Sequence, residues 1–189
     1  MPDLFIIAGC NGAGKTTSSF TVLPELLSIN EFVNADEIAR GLSPFQPENV
    51  SIAAGKIMLK RIDDLIEQRA DFAFETTLSS RSFVQLCSEA REKGYSIYLV
   101  FFWLDNPELA VERVKQRVLE GGHNIEAEII IRRYKSGLKN FLNLYRNLVD
   151  YWLFFDNSKS VQELVAEGKR DSKPLVFNKN KWSLILKYE

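Results

Sequence analysis

Eight residues near the N-terminus, Gly9-Cys10-Asn11-Gly12-Ala13-Gly14-Lys15-Thr16, fit G-x-x-x-x-G-K-[ST] at every position. The apolar run Leu4 to Ala8 comes before them and a helix-period segment after them, the setting this motif needs to wrap a phosphate chain. Glycines let successive backbone N–H groups turn inward, and the start of the helix adds partial positive charge. Lys15 then reaches the β- and γ-phosphates, and the Thr16 hydroxyl ligates Mg²⁺. The stretch from Gly9 to Thr17 is expected to bind a nucleoside triphosphate.

The use of the triphosphate has to come from elsewhere in the chain. Guanine recognition asks for N-K-x-D, but Asn178-Lys179-Asn180 is followed by Lys181. A transport ATPase would carry L-S-G-G-Q and an Asp-Glu pair closing an apolar strand; the first is missing, and Asp105 is followed by Asn106. A small phosphoryl transferase needs less: a phosphate cradle, a group that orients a hydroxyl, and cations that close over the transferred group. Asp36, just past the second predicted strand, sits at the carboxyl edge of a parallel sheet, where ligands bind. There it can take the proton of an acceptor hydroxyl, work worth roughly 10²–10⁴ in rate. Its other reading is the N-cap of a helix through Glu37 and Arg40. Glu75, Thr76 and Thr77 close the third strand at the same edge and can hydrogen-bond a polar acceptor; Thr77 as a helix cap and Glu75 as a loop charge are the alternatives.

Residues 111–146 carry eight Lys/Arg against four Glu, so positive charge gathers in one segment. Arg113 and Arg117 are four apart and share a helix face. Arg132 and Arg133 are about 100° apart on a helix, so only one of them faces a given phosphate. With Gly121-Gly122 as a hinge, residues 113–134 read as a lid carrying arginines onto the γ-phosphate; a solvated helix pair is the plain alternative. His123 reads as a packing or hydrogen-bonding residue of that lid, with a catalytic role as the alternative. Cys10 lies in the phosphate loop, where oxidation would block nucleotide binding.

The elements that must position these groups alternate as short apolar runs and longer helix-period segments, the pattern of an α/β protein. Strands are expected at 4–8, 31–34, 72–74, 97–104 and 151–155, with helices at 14–27, 49–69, 82–93, 107–119 and 126–148. The aromatic residues Phe101, Phe102, Trp103, Tyr151, Trp152, Phe154 and Phe155 belong to the sheet core. Leu164–Glu167 and Leu175–Phe177 look like a hairpin, with 183–188 extending it. The expected architecture is a three-layer P-loop NTPase of the nucleotide-kinase kind: a core over 1–158 with a five-stranded parallel sheet and helical lid, and a C-terminal β-hairpin appendage over 159–189.

Composition narrows the classes further. The 189 residues are 46% apolar and 26% charged, with 24 Lys/Arg, 25 Asp/Glu and a net charge of −1. Disorder is excluded, and no global positive field draws the chain to nucleic acid or an anionic membrane. No apolar run approaches the ~20 residues of a membrane span. The first residues lack a signal-peptide pattern. Two cysteines form no disulfide framework, and one histidine gives no metal-ligand spacing. A reduced cytoplasmic protein is expected.

The ordered set of motifs resembles the zeta-toxin-like P-loop kinases and their bacterial relatives. It consists of Ala8–Thr17, Phe32-Val33-Asn34-Ala35-Asp36-Glu37, Phe74-Glu75-Thr76-Thr77-Leu78-Ser79, Arg117 through Ile125, Ile131-Arg132-Arg133-Tyr134 and Asp156-Asn157-Ser158, spanning about residues 4–158. The resemblance implies ATP/Mg²⁺-dependent phosphorylation of a small-molecule hydroxyl, in zeta toxins that of a UDP-activated amino sugar, and a protein antitoxin that blocks the nucleotide site. It matches Asp36 to the base, Glu75 to an acceptor-binding carboxylate, and Arg117 with one of Arg132 or Arg133 to phosphate-clamping arginines. It puts Asp156-Asn157-Ser158 by the adenine. The Gly121-Gly122-His123 form of the lid is that of the less characterised relatives. An ATPase switch without an acceptor and a nucleotide-dependent interaction module are the rival functions.

Overall fold

The computed structural model describes residues 1–122 and 124–189, and the side chains of all of these except Thr21, Val22 and Leu26. The reading of His123 as a lid residue therefore lies outside the described residues. In chain order the elements begin with β1 (Asp3–Ala8), α1 (Lys15–Leu26), β2 (Glu31–Val33), α2 (Ala35–Leu42) and α3 (Ser51–Glu67). They continue with β3 (Phe72–Thr76), α4 (Phe83–Glu92), β4 (Ser96–Trp103), α5 (Pro107–Leu119) and α6 (Ala127–Asn140). After α6 a π-helical turn (Phe141–Tyr145) leads into the short α7 (Arg146–Leu148). The C-terminal part holds β5 (Tyr151–Asp156), β6 (Glu163–Lys169), β7 (Leu175–Val176) and α8 (Lys179–Ile185).

The strands form one sheet in the order β2-β3-β1-β4-β5-β6-β7. The first five are parallel, while β6 pairs antiparallel with β5 and β7 with β6. The crossover from β1 to β2 runs one way across the sheet and the later ones run the other. With right-handed crossovers this reversal opens a crevice at the carboxyl end of β1, next to β3 and β4. The central strands read as apolar runs because both faces are covered: Leu4, Ile6, Phe72, Phe74, Ile97 and Leu99 are fully buried. Phe101 stacks on Phe154 with ring centroids 5.0 Å apart, and Phe141 from the π-helical turn closes over both.

Three expectations need correction. Among the described residues the sheet has seven strands and is mixed, because the expected hairpin does not hang off the core but joins the main sheet edge on β5. Residues 183–188 do not extend that hairpin: they belong to α8 and a following 3₁₀ turn. Asn178 caps α8 by accepting from the Lys181 amide, and Trp182 and Ile185, three apart, bury one helical face. The helix expected from 126 to 148 is broken by the π-helical turn, whose Tyr145 hydroxyl donates to the Ser80 carbonyl.

Candidate active site

α1 begins at Lys15 itself, so the phosphate loop delivers the chain straight into a helix N-terminus. Lys15 is 6% exposed and its Nζ donates to the Cys10 carbonyl at 3.0 Å and lies 3.3 Å from Glu75 Oε1. The other Glu75 oxygen, Oε2, accepts from the Thr16 hydroxyl at 2.7 Å and from Asn34 Nδ2 at 2.9 Å. Thus the carboxylate closing β3 sits on both Lys15 and Thr16 of the phosphate loop. A hydroxyl and a carboxylate oxygen side by side form a hard-oxygen pair that fits Mg²⁺ shared with a polyphosphate.

Asn34 is the residue the sequence reading passed over. It caps α2, accepting at Oδ1 from the amides of Asp36 at 2.8 Å and Glu37 at 3.4 Å, while its Nδ2 holds Glu75. Asn34 rather than Asp36 is therefore the N-cap, and the Asp36 side chain is left to face the crevice. A residue of cap type right after a strand and two before Asp36 was the available signal.

Two cavities meet at this point. One, of about 210 Å³, is lined by Asp36, Glu75, Thr76, Thr77 and Arg133 together with Lys15. The second, of about 260 Å³, runs along Gly12, Gly14, Thr16 and Thr17 under Arg113 and Arg117. Asn11, Lys15, Asp36 and Glu75 line both. Arg133 Nη1 donates to Asn11 Oδ1 at 3.0 Å, bringing α6 onto the phosphate loop, whereas Arg132 is exposed and lines neither cavity. Burial pulls the Arg133 guanidinium down from its ordinary range, against the opposing pull of Asp36.

The hydroxyls of Thr76 and Thr77 are already engaged locally: Thr76 accepts from the Leu78 amide at 3.0 Å and Thr77 pairs with Ser79 at 2.9 Å. Neither caps α4. Asn140, at the end of α6, pins this turn by donating to the Leu78 carbonyl at 2.8 Å. Between α5 and α6, Gly121 takes φ +91°, with its amide on the Val118 carbonyl and that of Gly122 on the Arg117 carbonyl. That is a left-handed C-terminal cap that closes α5. Arg113 is tied down as well, donating to the carbonyls of Asn157 at 2.9 Å and Ser158 at 3.0 Å. Cys10 is 4% exposed, and burial pushes its thiol up to about 11.

Comparison with known proteins bears on the family and the fold. The Zeta toxin family model matches residues 1–181, so the likeness runs beyond Ser158 through β6 and β7 into α8. A protein of Haemophilus influenzae is 32% identical over 131 residues, which is 67% of this chain and 88% of that protein. Among solved structures, a chain of the AvrRxo1-ORF1:AvrRxo1-ORF2 complex with sulphate ions superposes with a TM-score of 0.79 at 17% identity over 98% of this chain. This chain spans only 63% of that one. A structure of the PezAT chromosomal toxin-antitoxin system of Streptococcus pneumoniae gives a TM-score of 0.67 at 15% identity, covering 100% of this chain and 86% of that one. At these identities the structures speak for the fold; the sequence model, matching nearly the whole chain, settles the family. By that match, and with a phosphate loop, crevice and sheet of the kind described, the chain belongs to the Zeta toxin family.

Proposed function

We propose that this chain is a cytoplasmic ATP-dependent kinase that phosphorylates a hydroxyl of a small molecule. The observation that carries the reading is the meeting of Lys15, Asp36 and Glu75 where the two cavities join, with Arg133 lining the first of them. The phosphates lie along Gly9 to Thr17, with Lys15 leaving Glu75 for the β- and γ-phosphates. Thr16, with Glu75 beside it, would hold Mg²⁺, which supplies charge neutralisation when bound. The acceptor enters the cavity lined by Thr76 and Thr77. Asp36 accepts its hydroxyl proton, the oxygen bonds to the γ-phosphorus, and the bond from that phosphorus to the β–γ bridging oxygen breaks, leaving ADP. Arg117 and Arg133 offset the charge on the moving phosphoryl group. Membership of the Zeta toxin family supports nucleotide-dependent phosphotransfer in general.

The first test is incubation of the wild type and Asp36→Asn with Mg-ATP and a panel of UDP-amino sugars, nucleotides and free sugars, read by mass spectrometry. A product formed by the wild type alone names the acceptor class and supports Asp36 as the base. ADP released equally with every acceptor or with none overturns the kinase reading in favour of an ATPase switch. A second reading adds a protein partner: one neighbour is a complex with AvrRxo1-ORF2 and another belongs to a toxin-antitoxin system. A protein antitoxin binding over the nucleotide crevice would lower ATP affinity, which calorimetry measures.

A further inference from the structure

α8 takes no part in the chemistry proposed above, yet a continuous set of polar contacts joins it to the phosphate loop. β5 ends at Asp156, a carboxylate only 4% exposed. Its Oδ1 accepts from the Ser158 amide at 2.8 Å and from the Ser158 hydroxyl, while Oδ2 pairs with Lys181 Nζ from the first turn of α8. A carboxylate buried this far needs such a cation. Lys181 is itself fixed at its backbone by the Asn178 cap and bridges to Glu163 at 2.6 Å.

Asp156 in turn shapes the next two residues. The Asn157 amide donates to the Trp103 carbonyl at 2.8 Å, and Arg113 holds the carbonyls of Asn157 and Ser158. The Asn157 side chain then donates from Nδ2 to the Ala13 carbonyl at 2.7 Å. It lies so close that a Cβ on Gly14 would stand 2.4 Å from that nitrogen. A trans peptide points its C=O and N–H in opposite directions. Holding the Ala13 carbonyl on Asn157 therefore turns the Gly14 N–H away from Asn157, and Gly14 lines the phosphate cavity.

We infer that Lys181 is a positioning residue for nucleotide binding: through its pair with buried Asp156 it sets the Asn157 side chain that fixes the phosphate loop at Ala13 and Gly14. This rests on the reading of that loop as a nucleotide site. The experiment is ATP binding by calorimetry, with thermal melting alongside, for the wild type, Lys181→Met, Lys181→Arg, Glu163→Gln and Trp182→Phe. Lys181→Met is expected to weaken ATP binding about tenfold, and Lys181→Arg to recover most of the loss. Glu163→Gln, which spares the Asp156 pair, stays within about twofold of wild type. Trp182→Phe disturbs the packing of α8 on Trp152 without touching Asp156, so it lowers the melting temperature while leaving affinity in place. If Lys181→Met does not fold, Lys181→Gln, which keeps a donor but no charge, carries the same comparison. Unchanged affinity in the folded Lys181 variant, or equal losses in Lys181→Met and Trp182→Phe, overturns the inference alone. A wild type that binds no ATP overturns the nucleotide reading and this inference with it.

Discussion

Glu75 accepts a hydrogen bond from the Thr16 hydroxyl at 2.7 Å while its other oxygen faces Lys15 at 3.3 Å. One carboxylate thus touches both the cation proposed for the phosphates and the hydroxyl proposed for the metal. Its charge opposes a bare polyphosphate and favours one carrying Mg²⁺. Glu75→Gln is therefore expected to bind ATP about tenfold more tightly in EDTA, where like-charge repulsion is relieved. With Mg²⁺ present, turnover should fall by about 10² or more. Calorimetry with and without Mg²⁺, together with an ADP-release assay, measures both. Wild-type behaviour in the two conditions would remove Glu75 from the metal side of the site.

Arg132 and Arg133 are neighbours with opposite surroundings. Arg133 is bonded to Asn11 and lines the cavity, and Arg132 is exposed. Loss of an arginine that neutralises the transferred phosphoryl group costs about 10³ or more in rate. Arg133→Ala should show a loss of that order, and Arg132→Ala should remain within about threefold. Steady-state turnover of the two variants at saturating ATP decides it; equal losses would mean that the helix, and not the one side chain, matters.

Asn34 joins the cap of α2 to the Glu75 carboxylate. Asn34→Ala removes a cap worth about 1 kcal/mol and a hydrogen bond to a charged group worth about 1.5–3 kcal/mol. Urea unfolding should show a loss of about 2.5–4 kcal/mol, the sum of those two. Asn34→Asp keeps the cap but sets a second carboxylate against Glu75, so its instability should lessen under acid. A loss below 1 kcal/mol in the alanine variant would mean that Glu75 finds a replacement donor.

What could be read from the sequence was what is contiguous. The phosphate loop is nine residues in a row, and Asp36 and Glu75 could be placed at the sheet's carboxyl edge because each follows an apolar run. Apolar runs also gave the five parallel strands. Contacts between distant segments were not legible: Asn157 on Ala13, Arg113 on the 157–158 carbonyls and Lys181 on Asp156 depend on the assembled sheet. Residues 183–188 misled because a short stretch holding Leu184, Ile185 and Leu186 has the composition of a strand. The helical signal lay earlier, in the Asn178 cap and the three-residue spacing of Trp182 and Ile185. Likewise Gly121-Gly122 has the composition of a hinge, and its cap geometry is visible only in the fold.

Cys10 was expected to be an oxidation point. Burial, only partly opposed by Lys15, raises its thiol to about 11, and burial raises Cys87 to about 12. At pH 8 a thiol of this kind is ionised in only about one molecule in a thousand, and the thiolate is the reactive form. Native protein should react with an aromatic disulfide reagent at least about a hundredfold more slowly than free cysteine, and chain unfolded in guanidinium should react fast. Rapid labelling of one thiol in the native protein would show that the loop opens.

The pair of Asp156 and Lys181 gives stability a defined acid limb. Burial alone would raise the Asp156 carboxyl, but hydrogen bonds from Lys181 and Ser158 outweigh it and hold the group below its ordinary range. For Lys181, burial would lower the ammonium, and the bonds to Asp156 and Glu163 win and raise it. A depressed carboxyl contributes stability in full above its unfolded value and loses it as pH falls through the folded one; a raised ammonium contributes below its unfolded value and loses it as pH rises through the folded one. The pair is thus intact across the neutral range and fails first in acid, below the ordinary aspartate range. Melting temperatures from pH 7 to pH 2 should fall more steeply in the wild type than in Asp156→Asn/Lys181→Met, which has no charge there to lose. Because Asp156 is almost wholly enclosed, the difference between the two proteins should persist in 0.5 M salt, about where exposed pairs are screened away. Parallel melting curves across that range would mean that the pair adds nothing to the fold.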